Sequence, residues 1–258
     1  MWPPLSNHLR EIIRSDDLSR LNNELSQHPP LEQEELDRCL IFAMKEASME
    51  TIGALIKWGA KMTEESFYAA FDRGNPALLQ LMVENGWDVN STEYGPTALE
   101  AAVENETLLR WLLAHDADPN AEAGQKPGFS AERCTPLIAA VKLSDPSAAK
   151  ILLSHGADMD PLAMFAAISD HDWSRGTATL ELLIEQGADI NHPTERWGSP
   201  LCHAVHWVKK DQLEVLLRHG ADTSYRDILG QTAAEYARDI DQPELAAIID
   251  AASSTAVP

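Results

Sequence analysis

Two histidines three residues apart, His203 and His206, offer this chain's best opening for acid–base or metal chemistry. On a helix that spacing puts both imidazoles on one face. Asp170, His171 and Asp172 could bring carboxylate and imidazole groups from outside, as a metal site or proton relay needs. Nothing else supports such a site. The sequence has no Gly-rich phosphate loop, HExxH, GxSxG or paired CxxC. The balance leans against an enzyme, and neither cofactor nor metal is expected.

Recognition by aromatic side chains is written more strongly. Trp173, Trp197 and Trp207 fall close enough in sequence to share a surface, and aromatic anchors bury much area at little entropy cost. With Arg175 and Arg196 beside them, a patch of these rings suits an acidic or aromatic peptide. Closed off by a long loop carrying Phe129, it would suit a small apolar molecule instead. Trp58, Trp87 and Trp111 sit near helix ends and are expected to fill core. His115, His155 and His219 share one slot before a helix-ending residue, where a cation favours the helix C-terminus.

The elements that must hold these residues follow from a repeated heptapeptide. Leu216–Asp222 (LLRHGAD) recurs as LIEQGAD from Leu183, LLSHGAD from Leu152, LLAHDAD from Leu112, MVENGWD from Met82 and LIKWGAK from Leu55. A decayed copy, LSQHPPL, starts at Leu25. The fifth residue of the clear copies is Gly59, Gly86, Asp116, Gly156, Gly187 and Gly220, giving steps of 27, 30, 40, 31 and 33 residues. Each copy reads as a last helical turn closed by a residue able to adopt left-handed backbone. A period of about thirty residues means stacked units.

The chain then parses into eight helix pairs. They are Leu5–Ser15 with Asp17–Gln27, Glu34–Ala47 with Met49–Trp58, Glu64–Arg73 with Pro76–Asn85, and Thr97–Asn105 with Glu106–Ala114. The later four are Thr135–Leu143 with Pro146–Ser154, Pro161–Ser169 with Thr177–Gln186, Pro200–Val208 with Asp211–His219, and Thr232–Asp239 with Pro243–Ala251. Ser or Thr ahead of Pro suits a helix start, because the hydroxyl accepts from a free N–H and Pro needs no partner there. A single domain over 1–258 is expected. It divides into a divergent cap (1–30), divergent repeats (31–87), typical repeats (88–222) with an inserted loop at 121–132, a C-terminal cap (223–252) and a tail (253–258). Gly124, Pro127 and Gly128 keep that insertion from forming helix or strand and leave Phe129 near its tip.

Composition limits the classes of partner. The 44% hydrophobic content of 258 residues is enough for an extended stacked core. No run of about 18 apolar residues could span a bilayer, and the opening MWPPLSNHLREII lacks the pattern of a signal peptide. Three distant cysteines, Cys39, Cys134 and Cys202, read as reduced buried thiols. A net charge of −21 repels phosphate, so neither nucleic acid nor anionic membrane is an expected partner. An intracellular monomer is expected, cytoplasmic or nuclear.

The order G-x-T-P-L-x-x-A-A, second helix, LLxxGAD resembles the ankyrin repeat. Thr135-Pro136-Leu137 with Ala139-Ala140, Ser199-Pro200-Leu201 and Asp227–Thr232 carry the opening half, and the heptapeptides carry the closing half. Where the family's T-P-L is followed by His, this chain has Ile138, Cys202 and Glu100. The resemblance implies an all-α α-solenoid of helix-turn-helix units, whose concave groove, lined by first helices and finger loops, holds a segment of another protein. The contact residues it implies are Tyr94, Glu104, Phe129, Arg133, Lys142, Trp173, Arg175, Arg196, Trp197, His206, Trp207 and Leu229. The alternative is an unorthodox enzyme or small-molecule binder with a pocket where the sixth and seventh units meet, among Trp173, Trp197, His206 and Trp207. Asn90, Asn120 and Asn191 end the segments WDVN, ADPN and ADIN. By resemblance they are candidates for an asparaginyl hydroxylase; read from the residues, each supports its turn through side-chain hydrogen bonds.

Overall fold

A computed structural model of the chain describes residues 5–26, 31–123, 134–168, 176–195 and 197–255. They are almost wholly helical, with isolated bridges at Thr194–Gly198 and Arg226–Thr232. The chain divides into two compact units, Met1–Arg133 and Cys134–Pro258. Among the described residues no helix is long and apolar enough to cross a membrane.

The first unit contains α1 (Asn7–Arg14), α2 (Leu18–Leu25), α3 (Gln33–Glu46), α4 (Met49–Lys57), α5 (Glu64–Arg73), α6 (Pro76–Glu84), α7 (Ala98–Ala101) and α8 (Glu106–Leu113). First helices α1, α3 and α5 pack in one row, and second helices α2, α4, α6 and α8 in another. The second unit contains α9 (Pro136–Val141), α10 (Ser147–Ser154), α11 (Ala163–Ala167), α12 (Ala178–Glu185), α13 (Pro200–His206), α14 (Lys210–Arg218), α15 (Ala233–Asp239) and α16 (Pro243–Thr255). Its first helices α9, α11, α13 and α15 pack in sequence, as do second helices α12, α14 and α16.

Helix starts follow the capping chemistry. The side chains of Thr63, Thr97, Thr135, Ser199 and Thr232 each accept from the backbone N–H three residues on, and Pro136 and Pro200 occupy the first turn. Several first helices are shorter than the sequence suggests, two of them by about half. The expected helix Thr97–Asn105 is α7, only Ala98–Ala101, because Asn105 must leave helical geometry to accept from Leu108 N and start α8. The expected Pro161–Ser169 is α11, since Asp160 holds residues 161–162 in a turn by accepting from Leu162 N at 2.7 Å.

Each heptapeptide ends a second helix as expected: Gly59, Gly86, Asp116, Gly156, Gly187 and Gly220 all have positive φ. The next residue's N–H returns to the first residue of the copy, as in Ala117 N to Leu112 O (3.1 Å) and Ala221 N to Leu216 O (3.0 Å). This turns Ala60, Trp87, Ala117, Ala157 and Ala221 into the core. The aspartate that follows locks the exit: Asp88, Asp118 and Asp189 each accept, at 2.9 Å, from the N–H of the asparagine two residues on. The asparagine then reaches the neighbouring hairpin. Asn90 donates to Asp116 O (3.0 Å) and accepts from Asp118 N (2.8 Å), and Asn191 accepts from Asp222 N (2.8 Å).

Three expectations about side chains need correction. Trp58 is 43% exposed rather than core, its ring N–H donating to Asn22 on α2. Trp111 is half-buried and stacks on His115 with ring centroids 3.8 Å apart, because both lie on the outer side of the second-helix row. Cys134 is half-buried, whereas Cys39 and Cys202 are buried. Trp87 is core as expected, 8% exposed beside Phe67 and Phe71. His115 and His155 bring ring Nδ1 to the carbonyl oxygens of Trp111 (2.7 Å) and Ile151 (2.8 Å), four residues back.

Some turns between first and second helices also need left-handed backbone. Gly74, Asp16 and Asp241 supply it with residue types that tolerate positive φ; Val208 supplies it at φ 54. A β-branched residue there is strained. The turn holds because Val208 N donates to Val205 O (3.0 Å) and Lys209 N to Ala204 O (2.9 Å). Val208→Gly is therefore expected to stabilise the protein by about 1 kcal/mol, read from chemical denaturation; lower stability would show that the valine is unstrained. Asn90→Ala, which removes both hydrogen bonds to the next hairpin, should cost about 1–2 kcal/mol in the same measurement. No loss would mean that the asparagine does not couple neighbouring repeats.

Candidate partner-binding face

The seventh repeat carries the candidate site on α13 and the finger before it. Thr194 and Gly198 close the finger with reciprocal backbone hydrogen bonds of 2.8 and 3.0 Å, and Trp197 N donates to Thr194 Oγ1 at 3.1 Å. Gly198 has φ 67, and a Cβ there would come 3.4 Å from the Tyr225 ring and 3.5 Å from Asp227 Cβ. Two adjacent fingers thus press together at a residue with no side chain. Trp197 lies against the second half of α13.

Helix α13 buries Leu201, Cys202, His203, Ala204 and Val205, leaving His206 exposed and Trp207 half-buried at its end. The rings gather. Trp197 lies 5.0 Å from His203, 5.3 Å from His206 and 6.3 Å from Trp207, centroid to centroid. His206 meets Trp207 edge-on at 4.8 Å, spacings at which aromatic pairs attract. On the next first helix, Tyr236 stacks on His206 at 6.2 Å, and its hydroxyl is 2.8 Å from His206 Nδ1.

Three of the expected contact residues, Trp197, His206 and Trp207, are therefore brought together. Leu229 lies on the next finger, 75% exposed alongside an equally exposed Ile228. Lys142 is exposed at the end of α9. Glu104 is exposed and Tyr94 half-buried in the first unit, where Tyr94 sits 5.6 Å from Phe67 in a separate aromatic group. Phe129, Arg133, Trp173, Arg175 and Arg196 lie outside the described residues, as does the rest of the 121–132 insertion beyond Ala123.

The catalytic reading gains nothing from this geometry. His203 is only 5% exposed and is packed among the rings of Phe165, Trp197 and Trp207. Its postulated partners Asp170, His171 and Asp172 lie outside the described residues. Among the described residues no group of His, Cys, Asp and Glu is arranged to hold a metal ion. Burial pushes the Cys202 thiol up, and burial with nearby Asp227 pushes the Tyr236 hydroxyl up, so neither is activated as a nucleophile or base near neutrality. Of the pocket expected among Trp173, Trp197, His206 and Trp207, the last three lie with their rings against one another, and Trp173 is outside the described residues.

Sequence reasoning missed Tyr236 and Phe165. Counting from the caps Ser199 and Thr232, Tyr236 holds in α15 the place that His203 holds in α13, so aligning repeats by their caps could have found it. Phe165 had no such signal, because its helix lacks the Ser/Thr cap that sets the register.

Comparison with known proteins agrees with this architecture. The family model for ankyrin repeats, in three copies, matches residues 66–163. The chain is 30% identical over 142 residues to a fowlpox virus protein described as an ankyrin repeat protein, FPV014; the alignment covers 54% of this chain and 31% of that one. The human ASB11 ankyrin repeat domain matches with a TM-score of 0.64 and 20% identity, over 81% of this chain and 96% of that chain. At that identity the likeness is one of fold. Ankyrin repeats generally serve as scaffolds for protein–protein interaction. The family model places ankyrin repeats within residues 66–163, and the all-α fold of the described residues is that of an ankyrin repeat domain.

Proposed function

We propose that the chain is a non-enzymatic recognition scaffold that captures a segment of a partner protein on the first-helix and finger side of its repeats, around Trp197, His206 and Trp207. What carries the reading is the gathering of large rings that stay half-buried or exposed while Leu201, Ala204 and Val205 supply the core of the same hairpin. Rings already held by one another lose little freedom when a partner covers them, and central aromatic residues carry most of the energy in protein interfaces. Repeat architecture supports the reading, since each unit leans only on its neighbours and its outer residues can vary without disturbing the core.

The test is affinity capture from native cell extract with wild type and Trp207→Ala, set beside the core variant Trp87→Ala. Trp207→Ala should lose the proteins that wild type retains while its thermal midpoint moves by only a few degrees. Trp87→Ala should instead lose about 3–5 kcal/mol of stability. If Trp207→Ala unfolds as readily as Trp87→Ala, or retains every protein wild type does, the reading is wrong.

A further inference from the structure

The chemistry of the occupant can be narrowed, given the reading that it is a protein segment. We infer that it is a basic segment, presenting a lysine or arginine to the rings of Trp197, Trp207 and Tyr236 and an aliphatic side chain to the neighbouring fingertip. The ring faces are negative, and indole attracts a cation more strongly than any other side-chain ring. Carboxylates belong to the same fingers and helix: Glu195 is exposed two residues before Trp197, Asp227 lies close enough to act on the Tyr236 hydroxyl, and Asp239 is exposed three residues after Tyr236 on α15.

The described arginines of α15 and its finger do not offset these acids. Arg226 is bound to Glu235 (2.9 Å) and to Gly230 O (2.6 Å), and Arg238 is paired with Asp250. The whole chain adds a field of net −21, which steers cationic segments toward it and repels acidic ones. An acidic occupant, which Arg175 and Arg196 would favour, has to approach against that field and against Glu195, Asp227 and Asp239.

The aliphatic half rests on the fingertip. Ile228 and Leu229 are each 75% exposed, at the tip of a turn that leaves little freedom. Gly230 N donates to Asp227 O (3.0 Å), while Asp227 Oδ1 accepts from Leu229 N (2.9 Å) and Gln231 N (3.0 Å). Two aliphatic side chains carried into water by a hydrogen-bonded turn, one finger away from an aromatic patch, suit a segment that mixes charge with branched apolar residues.

The test pans phage-displayed random peptides against the full chain at physiological ionic strength. Panning is repeated against Trp207→Leu, Trp197→Leu and Glu195→Lys, each first shown to keep the wild-type circular dichroism. Sequences that need the tryptophans should be enriched in Lys and Arg next to Leu, Ile or Val. A selected peptide should bind about tenfold more weakly to either tryptophan variant, more weakly to Glu195→Lys, and more weakly as salt rises. Acidic or uncharged sequences that still need Trp207 would overturn the charge assignment and leave the recognition reading standing. A library yielding no tryptophan-dependent sequence would overturn both.

Discussion

The way each second helix stops is what holds one hairpin to the next. A left-handed residue such as Gly220 or Asp116 turns the chain so that the residue after it drops into the core. A paired hairpin of this length has too little apolar surface to be stable alone, so its seam with the next hairpin does the work of a core. Polar bonds reinforce the seam at regular intervals, most clearly where Asn90 and Asn191 reach the exit turn of the following repeat. Both the asparagine and the aspartate before it are engaged by backbone, so these segments act as connectors.

Because the seams lie between helices, the finger loops and the outer ends of first helices are released from structural duty. The seventh repeat uses that freedom most. Its finger is pressed against the next one at Gly198, its first helix ends in His206 and Trp207, and the turn after it is forced through a strained valine. Backbone strain next to a cluster of accessible rings is the pattern seen where geometry has been fixed for contact rather than for stability. A glycine or aspartate would have made the same turn more easily, as Gly74 and Asp241 do elsewhere in the chain.

Much of this architecture was legible in the sequence because it is enforced locally. The six heptapeptides mark the left-handed exits, and Thr135-Pro136 and Ser199-Pro200 mark helix starts, since capping and turn geometry depend on residues a few positions apart. Legibility fails where the outcome depends on register between repeats. The length of α7 is set by the cap that follows it and that of α11 by the turn before it, and the exposure of Trp58 by a hydrogen bond across to α2. The site was half legible: Trp197, His206 and Trp207 could be singled out by type, but Tyr236 enters only through the stacking of one repeat on the next. Unequal steps between repeats blur that alignment. The chemistry of a bound segment would leave almost no trace in the core pattern, because each unit leans only on its neighbours and its outer residues are not needed for the core.

The histidines that close α8 and α10 work differently from the charged cap their position suggests. A carbonyl oxygen can only accept, so the short contacts from His115 to Trp111 O and from His155 to Ile151 O fix the hydrogen on Nδ1. An uncharged ring already supplies that donor, and a second proton would go to the other nitrogen without breaking the bond. The hydrogen bond that closes each of these helices therefore needs no charge on the imidazole.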